Sequence, residues 1–221
     1  MKKKNIFLVL IVLDLIVFAL MVLGITFSMF DVRFMVDLPR LSSLPILITF
    51  TGLSNLFIGL VCLGCSIYRI INKKVDLPKY LFLLKIIALA EITITFIITA
   101  TYLAPQLGAD WWRLYINNNI FNHLLTPVVA IITFIIFEEY NEISLKHCFY
   151  GFTPIIIYGI FYTINVYTHL KPDGSTDLTY DIYGFMRFGV FILILFFIGF
   201  MGISFGFTVL YRLQNKQKRK D

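Results

Sequence analysis

The sequence predicts an all-α integral membrane protein: one bundle of six transmembrane helices filling residues 1–221, with both termini in the cytoplasm. Composition points there first. The chain is 59% hydrophobic and only 14% charged, whereas soluble domains are about 45–50% apolar and about 25% charged. Mean hydropathy is +0.85. Six segments supply the ~20 mostly apolar residues that a helix needs to cross a bilayer core. The polar stretches between them are too short to hold a second domain, and no internal repeat is visible.

The first segment, 6–30, follows MKKKN. Its start resembles a signal peptide, but the run is too long and lacks a small-residue cleavage pattern, so it reads as a helix. DVRFMVDLPRLSS ends it. The second, 45–71, opens at Pro45 and stops at NKKVDLPK. The third, 80–103, leads into APQLGADWWRLYI. The fourth, 117–137, starts with three asparagines and ends at EEYNEISLKH. The fifth, 148–168, gives way to HLKPDGSTDLTYD, and the sixth, 184–211, runs into QNKQKRK. Proline, glycine, asparagine and charge supply the punctuation.

Lysine and arginine set the orientation. With the N-terminus inside, the inner side holds Lys2, Lys3, Lys4, Arg69, Lys73, Lys74, Lys79, Lys146, Arg212, Lys216, Lys218, Arg219 and Lys220. The outer side holds Arg33, Arg40, Arg113, Lys171 and Arg187. The net charge of +6 then reflects this bias and contact with anionic lipid heads, and nucleic acid is not expected as a partner.

Ionisable groups at bilayer depth are costly and mark candidate functional positions. Here they are Asp14, Lys85, Glu91 and His123, with neutral Asn55 and Asn165 beside them. Lys85 lies near the inner face and is expected to snorkel. Asp14 is expected to make a structural hydrogen bond. Thr51 and His123 each stand six residues inside the outer edge, about 9 Å deep at 1.5 Å per residue, so the two meet if their helices pack together. Asn55 continues the Thr51 face, and Glu91, Thr95 and Thr99 form an i,i+4 row that faces the bundle. Cys62 and Cys65 form a CxxC within a membrane helix. With Cys148 they read as free packing thiols. His123, His147 and His169 lie at different depths, so no metal site is expected, and no phosphate-loop, nucleophile-elbow or zinc-protease motif occurs.

Four stretches resemble the FAR-17a/androgen-induced membrane proteins and their bacterial six-helix relatives: TFTGLSNLFIGL, ITITFIITATYLAP, FNHLLTPVVAIITF, and YGFTPIIIYGIFY followed by DIYGF. Their order and spacing, from about residue 45 onward, carry the likeness. The resemblance implies a threonine hydrolase that splits fatty acid esters of hydroxy fatty acids, with an intramembrane threonine and histidine as its catalytic pair. These correspond to Thr51 and His123, and Thr49 is the alternative threonine. In that chemistry histidine takes the threonine proton, an acyl-threonine forms, and water releases the acid. No cofactor is implied. Asn55 and Asn122 are candidate oxyanion donors, Glu91 a candidate to orient His123, and Arg187 a candidate contact for a carboxylate head group. The implied partners are membrane lipids and a lipid ester, and compact loops favour a bacterial plasma membrane. Two other readings stay open. One is a proton-coupled carrier with Asp14, Glu91 and His123 as a relay. The other is a non-catalytic scaffold or lipid-binding protein.

Overall fold

A computed structural model describes residues 3–32, 34–35, 45–138 and 144–217. Among them are six helices long and apolar enough to cross a membrane, and no strand. They are α1 (Lys3–Met29), α2 (Phe50–Asn72), α3 (Lys79–Gln106), α4 (Asn118–Phe137), α5 (Phe152–Tyr167, whose membrane-length span starts at Leu145) and α6 (Val190–Gln217). The outward Arg33 and Arg40 and the tail residues Lys218, Arg219 and Lys220 lie outside the described residues.

The helices follow the six apolar segments, and their ends move for local reasons. Pro45 heads a single 3₁₀ turn, Ile46–Ile48, and Thr49 then turns the chain into α2 at φ −89°, ψ 150°. A second 3₁₀ turn, Leu145–Phe149, precedes α5. Gly189, at φ +84°, breaks the chain just before α6, a conformation that glycine adopts without cost.

Helix α3 is the axis of the bundle. It packs against α2, α4 and α6, while α1 packs on α2 and α4, and α5 packs on α6. Its most apolar window is 61% buried, against 17% for α6. Its small residues Ala88 and Ala90 are fully buried, as close helix approach requires. The outer faces of α5 and α6 expose isoleucine, leucine and phenylalanine, which suits contact with lipid tails.

Four buried charges join the helices at the end where α2 and α4 finish. Arg69 Nη1 donates to Asp14 Oδ2 at 2.6 Å, and Arg69 Nη2 donates to both Glu138 oxygens at 2.8 Å. Lys85 Nζ donates to Asp14 Oδ1 at 2.6 Å and also to Glu138. Two cations and two carboxylates therefore neutralise one another, each carboxylate shared by both cations. The network corrects the sequence reading at Lys85, which does not snorkel but is 1% exposed and doubly paired. Asp14 carries two ion pairs rather than a simple hydrogen bond. Arg69 reads as one of the inner-side cations and Glu138 as the start of the EEYNEISLKH break, yet both are buried. Periodicity did not reveal them because each stands at the end of its apolar run.

Removing one member strands the opposite charges, and breaking a buried pair costs about 3–5 kcal/mol. Lys85→Met should therefore lower the thermal unfolding midpoint in detergent sharply. The exposed Lys74→Met should leave it nearly unchanged. Equal midpoints for the two variants would show that the network does not hold the bundle together.

Candidate functional site

The opposite end of α2 carries Thr49, Thr51 and Asn55. Its first turn is built by TFTGLSN. Thr49 Oγ1 accepts from Gly52 N at 3.0 Å and donates to Ile46 O at 2.7 Å, so its hydroxyl is consumed as a helix cap. Gly52 is needed because an added Cβ would lie 1.9 Å from the Ile46 carbonyl oxygen. Thr51, two residues past the cap, is 6% exposed and free of that duty.

The tyrosine of DIYGF comes down onto this turn. The Tyr183 hydroxyl accepts from Phe50 N at 2.9 Å, and the residue borders the same small cavity as Thr51 and Tyr158. Two contacts hold the segment in place. The Tyr162 hydroxyl donates to Asp181, and the Tyr102 hydroxyl donates to Tyr183 O at 3.2 Å. Phe185 packs between Tyr102, Phe196 and Phe200.

His123 arrives from α4. Its Nδ1 lies 2.8 Å from Thr99 Oγ1 of α3, and both residues are buried. Each sits in a widened π-turn, Phe121–Leu125 in α4 and Thr99–Leu103 in α3. In both, the bond closes five residues back: Thr126 N to Phe121 O, and Ala104 N to Thr99 O. The cause is proline. Pro127 and Pro105 have no N–H, and their rings crowd the carbonyls four residues earlier, those of His123 and Thr101. π-Turns of this kind frequently mark functional sites.

Thr51 and Thr99 both border a small cavity, together with Thr95, Tyr158, Tyr183 and Phe185. Its volume is about 20 Å³, room for roughly one water molecule. Thr95 is tied across to α2, with its hydroxyl 2.7 Å from Ser54 Oγ. A far larger cavity of about 820 Å³ lies between α5 and the α2–α3 pair. Phe50 and Tyr158 wall both cavities, their ring centroids 5.2 Å apart.

The remaining predicted residues fall in several places. Asn55 Nδ2 donates to Thr51 O at 2.8 Å and to Asn122 O at 3.0 Å, which uses both amide hydrogens. Asn122 turns toward α1 and donates to Ser28 Oγ at 2.9 Å and Gly24 O at 3.2 Å. Neither amide has a hydrogen left for an oxyanion. Glu91 lines the large cavity and makes no bond to His123. Asn165 lines that cavity as well. Arg187 falls in the turn Met186–Phe188, but its side chain lies outside the described residues. Asp14, Glu91 and His123 occupy three separate environments: the charge network, the large cavity and the Thr99 contact. His147 caps the turn Leu145–Phe149, and His169 stacks on Tyr180. Cys62, Cys65 and Cys148 are free and buried.

Scanned against family models, curated proteins and solved structures, the chain matches none. These comparisons neither support nor oppose the resemblance to the FAR-17a group.

Sequence reasoning passed over Thr99 as the histidine's partner and Tyr183 as a site residue. The prolines of YLAP and HLLTP, a short distance past Thr99 and His123, were the available clue to the facing π-turns. Thr49→Ala should cost about 0.5–2 kcal/mol, the value of a helix cap, seen as a modest drop in the detergent melting midpoint. An unchanged midpoint would show that the cap contributes nothing to α2.

Proposed function

We propose that this chain is an intramembrane hydrolase of lipid esters, a bacterial six-helix relative of the FAR-17a group, in which His123 activates a threonine. The single observation that supports this reading is the buried contact of 2.8 Å between His123 Nδ1 and Thr99 Oγ1, set against a cavity that Thr51 and Tyr183 share. A nucleophile needs a base within hydrogen-bond reach, and the base needs a group to orient it.

In the leading reading Thr99 is that orienting group. It fixes the imidazole through Nδ1, and Nε2 takes the Thr51 proton as Thr51 Oγ attacks the ester carbonyl. The tetrahedral oxyanion forms at the start of α2, where the helix dipole favours negative charge. The Tyr183 hydroxyl, which accepts from Phe50 N and keeps a proton of its own, takes the donor role there in place of Asn55 and Asn122. Collapse expels the alcohol, which takes the proton from His123, and leaves an acyl-threonine. A water in the small cavity, deprotonated by His123, then frees the acid and restores Thr51. Arg187 remains a head-group candidate by position in the sequence alone.

A second reading exchanges the threonines. The direct contact with the base favours Thr99 as nucleophile, with Thr51 and Tyr183 facing the substrate carbonyl. Both readings put the chemistry in the outer half of the membrane, with both termini cytoplasmic and a lipid substrate entering sideways from the bilayer. They need no metal or cofactor.

Labelling with a fluorophosphonate probe in nanodiscs tests the proposal. Wild type should label, and His123→Ala should lose at least about 100-fold in rate, as expected for removal of a general base. Peptide mapping of the adduct chooses between Thr51 and Thr99. Tyr183→Phe should slow labelling by about 10–100-fold, somewhat less than loss of a dedicated oxyanion donor. Failure of folded wild type to label would shift the reading to a non-catalytic lipid-binding protein.

A further inference from the structure

The large cavity is not used by the chemistry just described, and its lining includes a carboxyl group with no partner among the described residues. It runs along α5 from Tyr150 at its start to Tyr180 and Ile182 in the loop beyond its end. Its volume of about 820 Å³ falls within the range of small-molecule sites. Its walls are aliphatic and aromatic, including Phe57, Phe161, Tyr158 and Tyr162.

Glu91 lines it from α3. The residue is 1% exposed, and neither carboxylate oxygen has a hydrogen-bond partner among the described residues. The other buried acids differ: Asp14 and Glu138 are each paired with Arg69 and Lys85, and Asp181 accepts from Tyr162. Lys85 sits on the same helix but is committed to the charge network. No lysine, arginine or histidine lines the cavity among the described residues.

This arrangement selects its ligand by elimination. A lone buried carboxylate is costly until a cation joins it. An anionic lipid meets no basic group here and would face Glu91. A hard metal ion needs several oxygen ligands, and Glu91 offers one carboxylate among mostly apolar walls. A cation that brings its own apolar body satisfies both features, and the aromatic faces attract it further. We propose that this cavity binds a lipophilic organic cation, an amine or onium with an apolar body, with Glu91 as its counter-ion. The site is independent of the hydrolase reading. Phe50 and Tyr158 separate it from Thr51 and His123.

The test uses the whole chain in nanodiscs of zwitterionic lipid. Tetraphenylphosphonium and tetraphenylborate are the probes, alike in shape and opposite in charge. Equilibrium dialysis with empty nanodiscs subtracted should show saturable binding of one phosphonium per chain and no saturable binding of the borate. Glu91→Gln should weaken phosphonium binding by about tenfold or more, the loss of a desolvated ion pair. Ile87→Trp, which fills the cavity one turn from Glu91, should do the same and replaces Glu91→Gln if that variant does not fold. Thr51→Ala should bind as wild type does, so the result does not depend on the hydrolase reading. Phosphonium affinity within about twofold of wild type in folded Glu91→Gln, or no saturable binding to wild type, overturns the proposal.

Discussion

The closed network of Asp14, Arg69, Lys85 and Glu138 is the constraint around which the structure is arranged. It takes one charge from each of α1, α2 and α3 and one from the end of α4, and buries all four. None of these charges can leave without stranding another in an apolar interior, so the four helices are locked in depth relative to one another. Further bonds extend the lock. Arg69 Nε holds the Val75 carbonyl of the α2–α3 loop at 3.0 Å, and Tyr211 of α6 donates to the Glu138 carbonyl at 2.8 Å. Five helices are thereby tied at one end.

Helix α5 is the exception, and the large cavity lies beside it. It packs on α6 and is fastened at its far end through Tyr162 and Asp181. Between it and the α2–α3 pair the bundle stays open, with Glu91 facing the gap. The same fold therefore combines five helices tied at one end, which carry Thr51, Thr99 and His123, with a neighbour that leaves room for a molecule. The DIYGF segment links the two, because it is anchored to α5 by Asp181 and reaches α2 by Tyr183.

The facing π-turns explain how one histidine meets one threonine. A regular helix repeats every 3.6 residues, and an inserted residue rotates the turns on its N-terminal side relative to those on its C-terminal side. Pro105 and Pro127 impose that insertion on α3 and α4 at matching depth. Thr99 and His123 are then joined across the helix interface by a single hydrogen bond. Neighbouring Asn122, on the same turn, points instead into α1, where the lack of a side chain at Gly24 admits it: an added Cβ there would lie 2.5 Å from Asn122 Oδ1.

By itself the sequence determined the membrane class, the six helices and their approximate limits. Those depend on apolar run length and on the cost of unpaired backbone groups in lipid, both of which are local properties. It also located Thr51, Glu91 and His123 as polar groups at bilayer depth. Only the tertiary structure decided their partners. His123 is bonded to Thr99, Glu91 is unpaired among the described residues beside a cavity, and Lys85 is drawn inward by two carboxylates distant in sequence. Thr49 looked interchangeable with Thr51 until the cap showed its hydroxyl to be occupied. Run length and periodicity report which groups must leave water or lipid. They do not report which group on another helix will meet them, because that depends on helix order, rotation and the two proline-widened turns.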